Sequence, residues 1–195
     1  ADFTHPSPSG EQKVAGLLSG FFAHEATAEG WWPARADTGL IAVDAIKDAH
    51  VSAASATTNF GAATTLLAQG TALPIHSYLG FDLSGAVRPA ALAKLSLRVL
   101  QMGGGAISTV ADTSWAEGTI TFSNAPAIGA TLVNTPGSSR DGTLSANVTA
   151  NVNADADGQL TFALTTAASS QASYHSREGG DPPRLVLVTS CAGAP

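Results

Sequence analysis

The sequence is short of charge and of cysteine, and both shortages exclude classes of protein. Only 12% of the 195 residues are charged, against about a quarter in an average soluble domain, and the formal net charge is −6. No run of lysine and arginine occurs, which excludes a basic nucleic-acid-binding surface. The single cysteine, Cys191, cannot form an intrachain disulfide, so it is either a free thiol or a link between subunits.

Long apolar runs are also missing. The most apolar stretch, residues 14–23, is interrupted by Gly16, Ser19 and Gly20, and it is far shorter than the ~20 residues needed to cross a bilayer. The chain begins with alanine, which fits the removal of a signal peptide. We therefore expect a secreted protein, extracellular or at the cell surface, with no membrane span.

No set of residues typical of catalysis can be found. The sequence has no Gly-x-Ser-x-Gly elbow, no zinc-ligand spacing and no phosphate-binding loop. Its five histidines are scattered, and His175 with its neighbours fits the end of a strand better than an acid–base pair. The sequence predicts a non-catalytic protein.

Short strands separated by turn residues fill the chain after Gly39, which predicts an all-β, antiparallel β-sandwich. Residues 92–100 show the alternation clearly, because their apolar residues share one face and Lys94, Ser96 and Arg98 share the other. Residues 77–83 also alternate, which predicts a half-buried strand with Leu79 or its neighbours Tyr78 and Phe81 in the core. The predicted strands are 40–47, 64–68, 77–82, 90–100, 106–110, 118–122, 130–134, 143–152, 159–165, 172–175 and 184–188.

The first 39 residues predict a separate N-terminal arm, partly helical over about 11–25, ahead of a sandwich domain at 40–195. The arm holds five of the chain's twelve aromatic residues: Phe3, Phe21, Phe22, Trp31 and Trp32. An arm this small cannot bury them by itself, so we expect them to contact another copy of the chain. Repeated head to tail, such a contact builds a polymer.

Several motifs, in order, resemble those of one family. Residues 75–85 read IHSYLGFDLSG, and DAHV at 48–51, TNFG at 58–61, ADTSW at 111–115, TFSNAP at 121–126 and SREGGDPPRL at 176–185 accompany them. Together they resemble the secreted DNRLRE domains, also classed as carbohydrate-binding module family 96. The resemblance implies a jelly-roll-like sandwich and a polysaccharide as a partner.

Candidate sugar-binding residues follow from the need for exposed aromatic and basic side chains. Phe60 and Tyr174 are the candidates for exposed aromatic platforms, and Arg177 is a candidate for a polar contact. The family's SYLKFDLSG has lysine where this chain has Gly80, which argues against binding a polyanion. The basic residues that remain for such a role are Arg88, Lys94, Arg98, Arg177 and Arg184.

Carboxylates in the motifs are candidate calcium ligands. Asp48, Asp82, Glu178 and Asp181 lie near strand ends, where they could hold a structural Ca²⁺ or instead form ion pairs and cap turns. Residues 155–158 read DADG, which fits a fragment of a calcium loop or a hairpin turn. Asn147 begins the only N-glycosylation sequon.

Two functions are consistent with these features. The favoured hypothesis is a non-catalytic extracellular structural protein that assembles with copies of itself, through the arm, into a surface filament or matrix fibre. The alternative is a carbohydrate-binding module that recognises a polysaccharide.

Overall fold

A computed structural model describes residues 39–189, which form an antiparallel β-sandwich and confirm the predicted fold class. The five aromatic residues of the predicted arm and Cys191 lie outside the described residues. The arm, its subunit contacts and the domain boundary therefore stay predictions. Among the residues described, no helix is long and apolar enough to cross a membrane.

Two sheets make up the sandwich, and their strands pair antiparallel. Sheet A has the order β1-β11-β5-β10-β3, with β8 also paired to β5, and sheet B has the order β2-β4-β9-β6-β7. The strands of sheet A are β1 (Gly39–Asp44), β3 (Thr65–Ala68), β5 (Leu92–Gln101), β8 (Thr143–Asn147), β10 (Ala172–His175) and β11 (Arg184–Thr189). Those of sheet B are β2 (Lys47–Ser52), β4 (Ile75–Asp82), β6 (Gly105–Val110), β7 (Thr131–Thr135) and β9 (Gln159–Thr165).

The main core fills the space between the sheets. Leu95 and Leu97 of β5 are fully buried, and Leu79 and Phe81 of β4 belong to the same cluster. Phe81 packs edge-on against Phe162 with ring centroids 6.2 Å apart. Burying each such side chain stabilises the fold by roughly 1.5–3 kcal/mol. The expectation that Leu79 or its neighbours Tyr78 and Phe81 lie in the core is confirmed.

A second apolar cluster covers the other face of sheet B. Tyr78 and Ala163 project from the sheet into this cluster, where they meet Trp115 and Ile120. The last two belong to residues 111–130, which we call the covering segment. Strand β4 is therefore buried on both faces from Ser77 to Phe81, and the half-buried strand expected from its alternation is wrong.

Long polar side chains fasten the covering segment to the sandwich. Lys47 Nζ donates to the carbonyl oxygens of Thr113 and Trp115 at 2.6 and 2.7 Å, and it lies 4.6 Å from the centroid of the Trp115 ring. Asn59 Nδ2 donates to two further carbonyls of the segment at 2.7 Å each, and the Tyr78 hydroxyl donates to a third at 2.8 Å. Backbone carbonyls that lack a ladder partner are satisfied in this way.

The covering segment also explains why the predicted strand at 118–122 is wrong. Its hydrogen bonds are local, because the amides of Thr119 and Ile120 both donate to the Ala116 carbonyl. Asn124 Oδ1 accepts from the amide of Thr121 at 2.7 Å, which closes a further turn. Ile120 is buried as a strand residue would be, but it belongs to no strand. It is buried because it packs against the outer face of sheet B.

Two other predicted strands are divided in the structure. The strand predicted at 40–47 ends at Asp44, since the Ala45 amide donates to Pro183, just before β11 of sheet A, and the Ile46 amide donates to Gly80 of β4 in sheet B. The chain crosses between sheets there and continues as β2, which was not predicted.

The strand predicted at 143–152 ends at Asn147, and a short helix, α1 (Thr149–Ala154), follows it. Asn147 Oδ1 accepts from the Thr149 amide at 3.0 Å, which turns the chain out of the ladder. Val152 of the helix is fully buried in the main core. Asparagine favours turns over strands, so this local bond decides the end of β8.

Tyr174→Phe should destabilise the sandwich. The buried hydroxyl accepts from the Gly104 amide at 2.8 Å and donates to the Gly104 carbonyl at 2.7 Å, so its loss leaves two backbone groups without their partner. We expect a decrease of about 1–3 kcal/mol in the free energy of unfolding, measured by urea denaturation. A variant as stable as the wild type would contradict this role.

Lys47→Met should loosen the covering segment, because methionine keeps the aliphatic stem but loses both charged hydrogen bonds. We expect about 1–3 kcal/mol of destabilisation and a change in Trp115 fluorescence. The matched control is Lys94→Met at an exposed position of β5, which should alter stability by less than about 0.5 kcal/mol. Equal effects of the two substitutions would rule out a specific fastening role for Lys47.

Candidate functional site

The outer face of sheet A carries a strip of basic and hydroxyl side chains, which we call the basic strip. Its members all lie on the three adjacent strands β8, β5 and β11 and point away from the core: Lys94, Ser96, Arg98, Thr143, Ser145 and Arg184. The alternation of β5 predicted that Lys94, Ser96 and Arg98 share the outer face, and the structure confirms it.

The strand register brings the basic strip together. Ser96 lies directly between Ser145 of β8 and Arg184 of β11, and Arg98 lies opposite Thr143. Residues opposite each other in neighbouring strands have Cβ atoms about 4.5–5.5 Å apart. Arg98 and Arg184 therefore face the same groove of about 200 Å³, which Asp181 and Pro182 also line.

Two of the three basic side chains of the basic strip have no acidic partner among the described residues, whereas Arg184 lies near both Asp44 and Asp181. No carboxylate of residues 39–189 lies within 4.0 Å of a Lys94 or Arg98 side-chain nitrogen. Arg184 Nε lies 3.1 Å from Asp44 Oδ1 but is not aligned for a hydrogen bond. The basic strip thus keeps donors to offer to a ligand.

The family pattern has a lysine at position 80, where this chain has glycine. The space beside this glycine is filled by the side chain of another lysine, Lys47. Gly80 lies opposite Lys47, and a Cβ atom built at Gly80 would come within 2.6 Å of Lys47 Cε. Burial lowers the pKa of Lys47, although Asp112 and Glu117 oppose the shift. Since its ammonium binds carbonyls of the covering segment, Lys47 serves the fold.

The predicted sugar-binding residues do not form one site. Tyr174 is fully buried, so the expectation that it is an exposed platform is wrong; its strand faces inward at that position. Phe60 is half-buried and stacks on His50 with ring centroids 4.5 Å apart, which covers one face of its ring. Arg177 Nη1 contacts both carboxylate oxygens of Glu117 at 2.9 Å. Sugar binding by Phe60 and Arg177 stays a prediction.

Two of the four predicted calcium ligands come together, and a third carboxylate joins them. Asp48 at the start of β2 and Glu178 in the turn before β11 meet Glu117 of the covering segment, with one oxygen of each within 4.8 Å of the others. We call this group the carboxylate cluster. Glu117 was missed, although it stands two residues after the ADTSW motif.

The other two predicted calcium ligands lie apart from the carboxylate cluster. Asp82 Oδ1 accepts from the amide of Ser84 at 2.8 Å, and this hydrogen bond lowers the pKa of Asp82. Asp181 Oδ1 lies 4.0 Å from Arg184 Nη2. These contacts match the alternatives of a turn cap and an ion pair.

Burial dominates the electrostatics of the carboxylate cluster. Asp48 is only 1% exposed, and its burial raises the pKa of its carboxyl to about 7, against the opposing effect of a hydrogen bond from the Arg177 amide. That bond joins the amide to Asp48 Oδ2 at 2.9 Å. Asp48 Oδ1 has no hydrogen-bond partner among residues 39–189.

The remaining candidates are explained by local contacts. In the DADG segment, the Asp155 carboxylate contacts Arg88 and accepts from the Gly158 amide at 2.8 Å, which closes a turn between α1 and β9. The segment therefore follows a helix, and the hairpin expected from the sequence is wrong. Asn147 is exposed at the end of β8, where glycosylation stays a prediction.

Comparison with known proteins adds a family to this geometry. The model of carbohydrate-binding module family 96 matches residues 40–189, which is nearly all of the described sandwich. A search of curated proteins finds no significant match. The family match agrees with the resemblance carried by the motifs. Since it extends over more than half of the chain, the chain belongs to carbohydrate-binding module family 96.

Proposed function

We propose that this protein is an extracellular, non-catalytic module that binds an acidic polysaccharide along the basic strip. The observation that carries the proposal is the family match across residues 40–189, because the family is one of carbohydrate-binding modules. Modules of this kind are usually extracellular and have no catalytic activity of their own.

The chemistry of the basic strip supports an anionic sugar chain as the ligand, contrary to the expectation drawn from Gly80, because the strip lies on the other sheet and does not depend on that position. Arginine presents a planar fork of donors that matches a carboxylate or a sulfate, and lysine adds a positive charge. The hydroxyl groups of Ser96, Thr143 and Ser145 can exchange hydrogen bonds with sugar hydroxyls along the same line. A linear glycan laid across the three strands would meet all of these groups.

The family match favours glycan binding over the self-assembling filament that the sequence analysis preferred. The five aromatic residues on which the filament hypothesis depends lie outside the described residues. Assembly through the arm stays a prediction, and sedimentation of the full chain at high concentration tests it. A monomer under those conditions would contradict the filament.

Removing the arginines of the basic strip should weaken polysaccharide binding. We expect Arg98→Ala and Arg184→Ala each to raise the dissociation constant about tenfold, because each loses a charge-assisted contact. Affinity electrophoresis and calorimetry would measure binding to polyuronates, to sulfated polysaccharides and to neutral glucans and xylans. Added salt should weaken the binding, since the contacts are ionic and exposed.

The matched control is Arg140→Ala. Arg140 has the same charge, but its side chain is 81% exposed beside Asp141, outside the basic strip. The Arg140→Ala variant should bind the polysaccharide with the same affinity as the wild type. The proposed site would be wrong if the three variants bind equally well. The proposed ligand class would be wrong if only neutral polysaccharides are retained, and the function would be wrong if none of the panel binds.

A further inference from the structure

Three separate segments of the chain converge on the carboxylate cluster. Asp48 comes from the DAHV motif, Glu178 from the SREGG motif, and Glu117 from the covering segment. A third motif, TNFG, positions Glu117, because Asn59 Nδ2 donates to the Glu117 carbonyl at 2.7 Å. Gly61 of the same motif lies so close that a Cβ atom there would be 2.2 Å from that carbonyl oxygen. The position of Glu117 is therefore tightly fixed.

Asp48 provides the second observation that points to a ligand. Its side chain is almost completely buried, and Oδ1 has no partner among the described residues. A buried carboxylate oxygen without a partner is costly and rare in native proteins. The other oxygen, Oδ2, is already held by the Arg177 amide at 2.9 Å, so Oδ1 is the atom of Asp48 left to bind something.

Arg177 does not neutralise the carboxylate cluster. Its Nη1 atom contacts both carboxylate oxygens of Glu117, but it lies 3.9 Å from Glu178 Oε1. When all three carboxyl groups are ionised, they outnumber the single guanidinium by two. A divalent cation would supply the missing positive charge.

We propose that the carboxylate cluster binds one calcium ion through Asp48, Glu117 and Glu178. Calcium takes roughly six to eight oxygen ligands at about 2.3–2.6 Å, so ligands on opposite sides of the ion lie about 4.6–5.2 Å apart. One oxygen of each residue lies within 4.8 Å of the other two, so a single calcium ion can reach all three. Water completes the shell on the side of Glu178, which is exposed.

Calcium fits the carboxylate cluster better than other common cations. Magnesium is smaller and demands a near-ideal octahedron at about 2.0–2.1 Å, which three carboxylates on separate segments do not provide. Zinc prefers nitrogen and sulfur ligands, whereas the three residues offer only oxygen. Bound calcium would join β2, the covering segment and the turn before β11. Its main effect would therefore be to stabilise the sandwich.

The test is calcium binding by the full chain, purified with a chelator and titrated with calcium chloride alone. At a hundredfold excess of calcium over its dissociation constant, the melting temperature should rise by roughly 5–10 °C, and magnesium chloride should have a clearly smaller effect. Glu178→Gln should weaken calcium binding at least about tenfold in calorimetry. Asp48→Asn should abolish it.

The exposed Glu178 keeps the test valid if the buried Asp48 variant fails to fold. The matched control is Asp181→Asn, which removes a carboxylate three residues away and outside the carboxylate cluster, and it should bind calcium as the wild type does. An unchanged melting temperature in millimolar calcium, or an equal loss of affinity in Glu178→Gln and Asp181→Asn, would overturn the proposal. Calcium and glycan binding can fail independently, because the carboxylate cluster and the basic strip share no residue.

Discussion

Sheet B has apolar side chains on both faces, and the rest of the structure depends on covering both of them. The inner face packs on sheet A through residues such as Phe81 and Phe162. The outer face carries Tyr78 and Ala163, which, within residues 39–189, the covering segment shields from water. A segment without regular strands has few backbone partners, so side chains from sheet B and from the connection between β2 and β3 bind its carbonyl groups. Lys47, Asn59 and Tyr78 donate these hydrogen bonds.

This arrangement divides the molecule into a structural side and an accessible side. The motifs that carry the family resemblance lie mostly on the side of sheet B, where they hold the covering segment and build the carboxylate cluster. The outer face of sheet A, over β8, β5 and β11, has no such cover among the described residues, and its polar side chains remain open to a ligand. Glycan and calcium binding are thus proposed for different parts of one sandwich.

The alternation of apolar and polar residues predicted the features that depend on a single strand. The alternation along β5 was sufficient to assign Lys94, Ser96 and Arg98 to the outer face. The same reasoning failed for β4, because alternation cannot distinguish a strand exposed on one face from a strand covered by a distant segment. It failed again at 118–122, where Ile120 is buried by contact with a sheet it does not join.

The candidate sites depend on which residues of distant strands and loops lie side by side. The sequence does not give this information. Nothing in the sequence indicates that Arg184 lies beside Ser96, or that Glu117 reaches Asp48, since these pairs come from strands and loops far apart in the chain. Tyr174 was a candidate for the surface because a sugar-binding site needs exposed aromatic side chains. Its hydroxyl instead finds both backbone groups of Gly104 in the interior.

The contact between Gly80 and Lys47 also restricts how relatives of this chain can vary. The two residues face each other across β2 and β4, and the lysine stem occupies the volume into which any side chain at position 80 would grow. A longer residue at position 80 therefore fits only if the Lys47 side chain takes another path. A relative with lysine in the SYLKFDLSG pattern must therefore accommodate it by a shorter or reoriented residue opposite. The two positions are sterically coupled and should be compared as a pair.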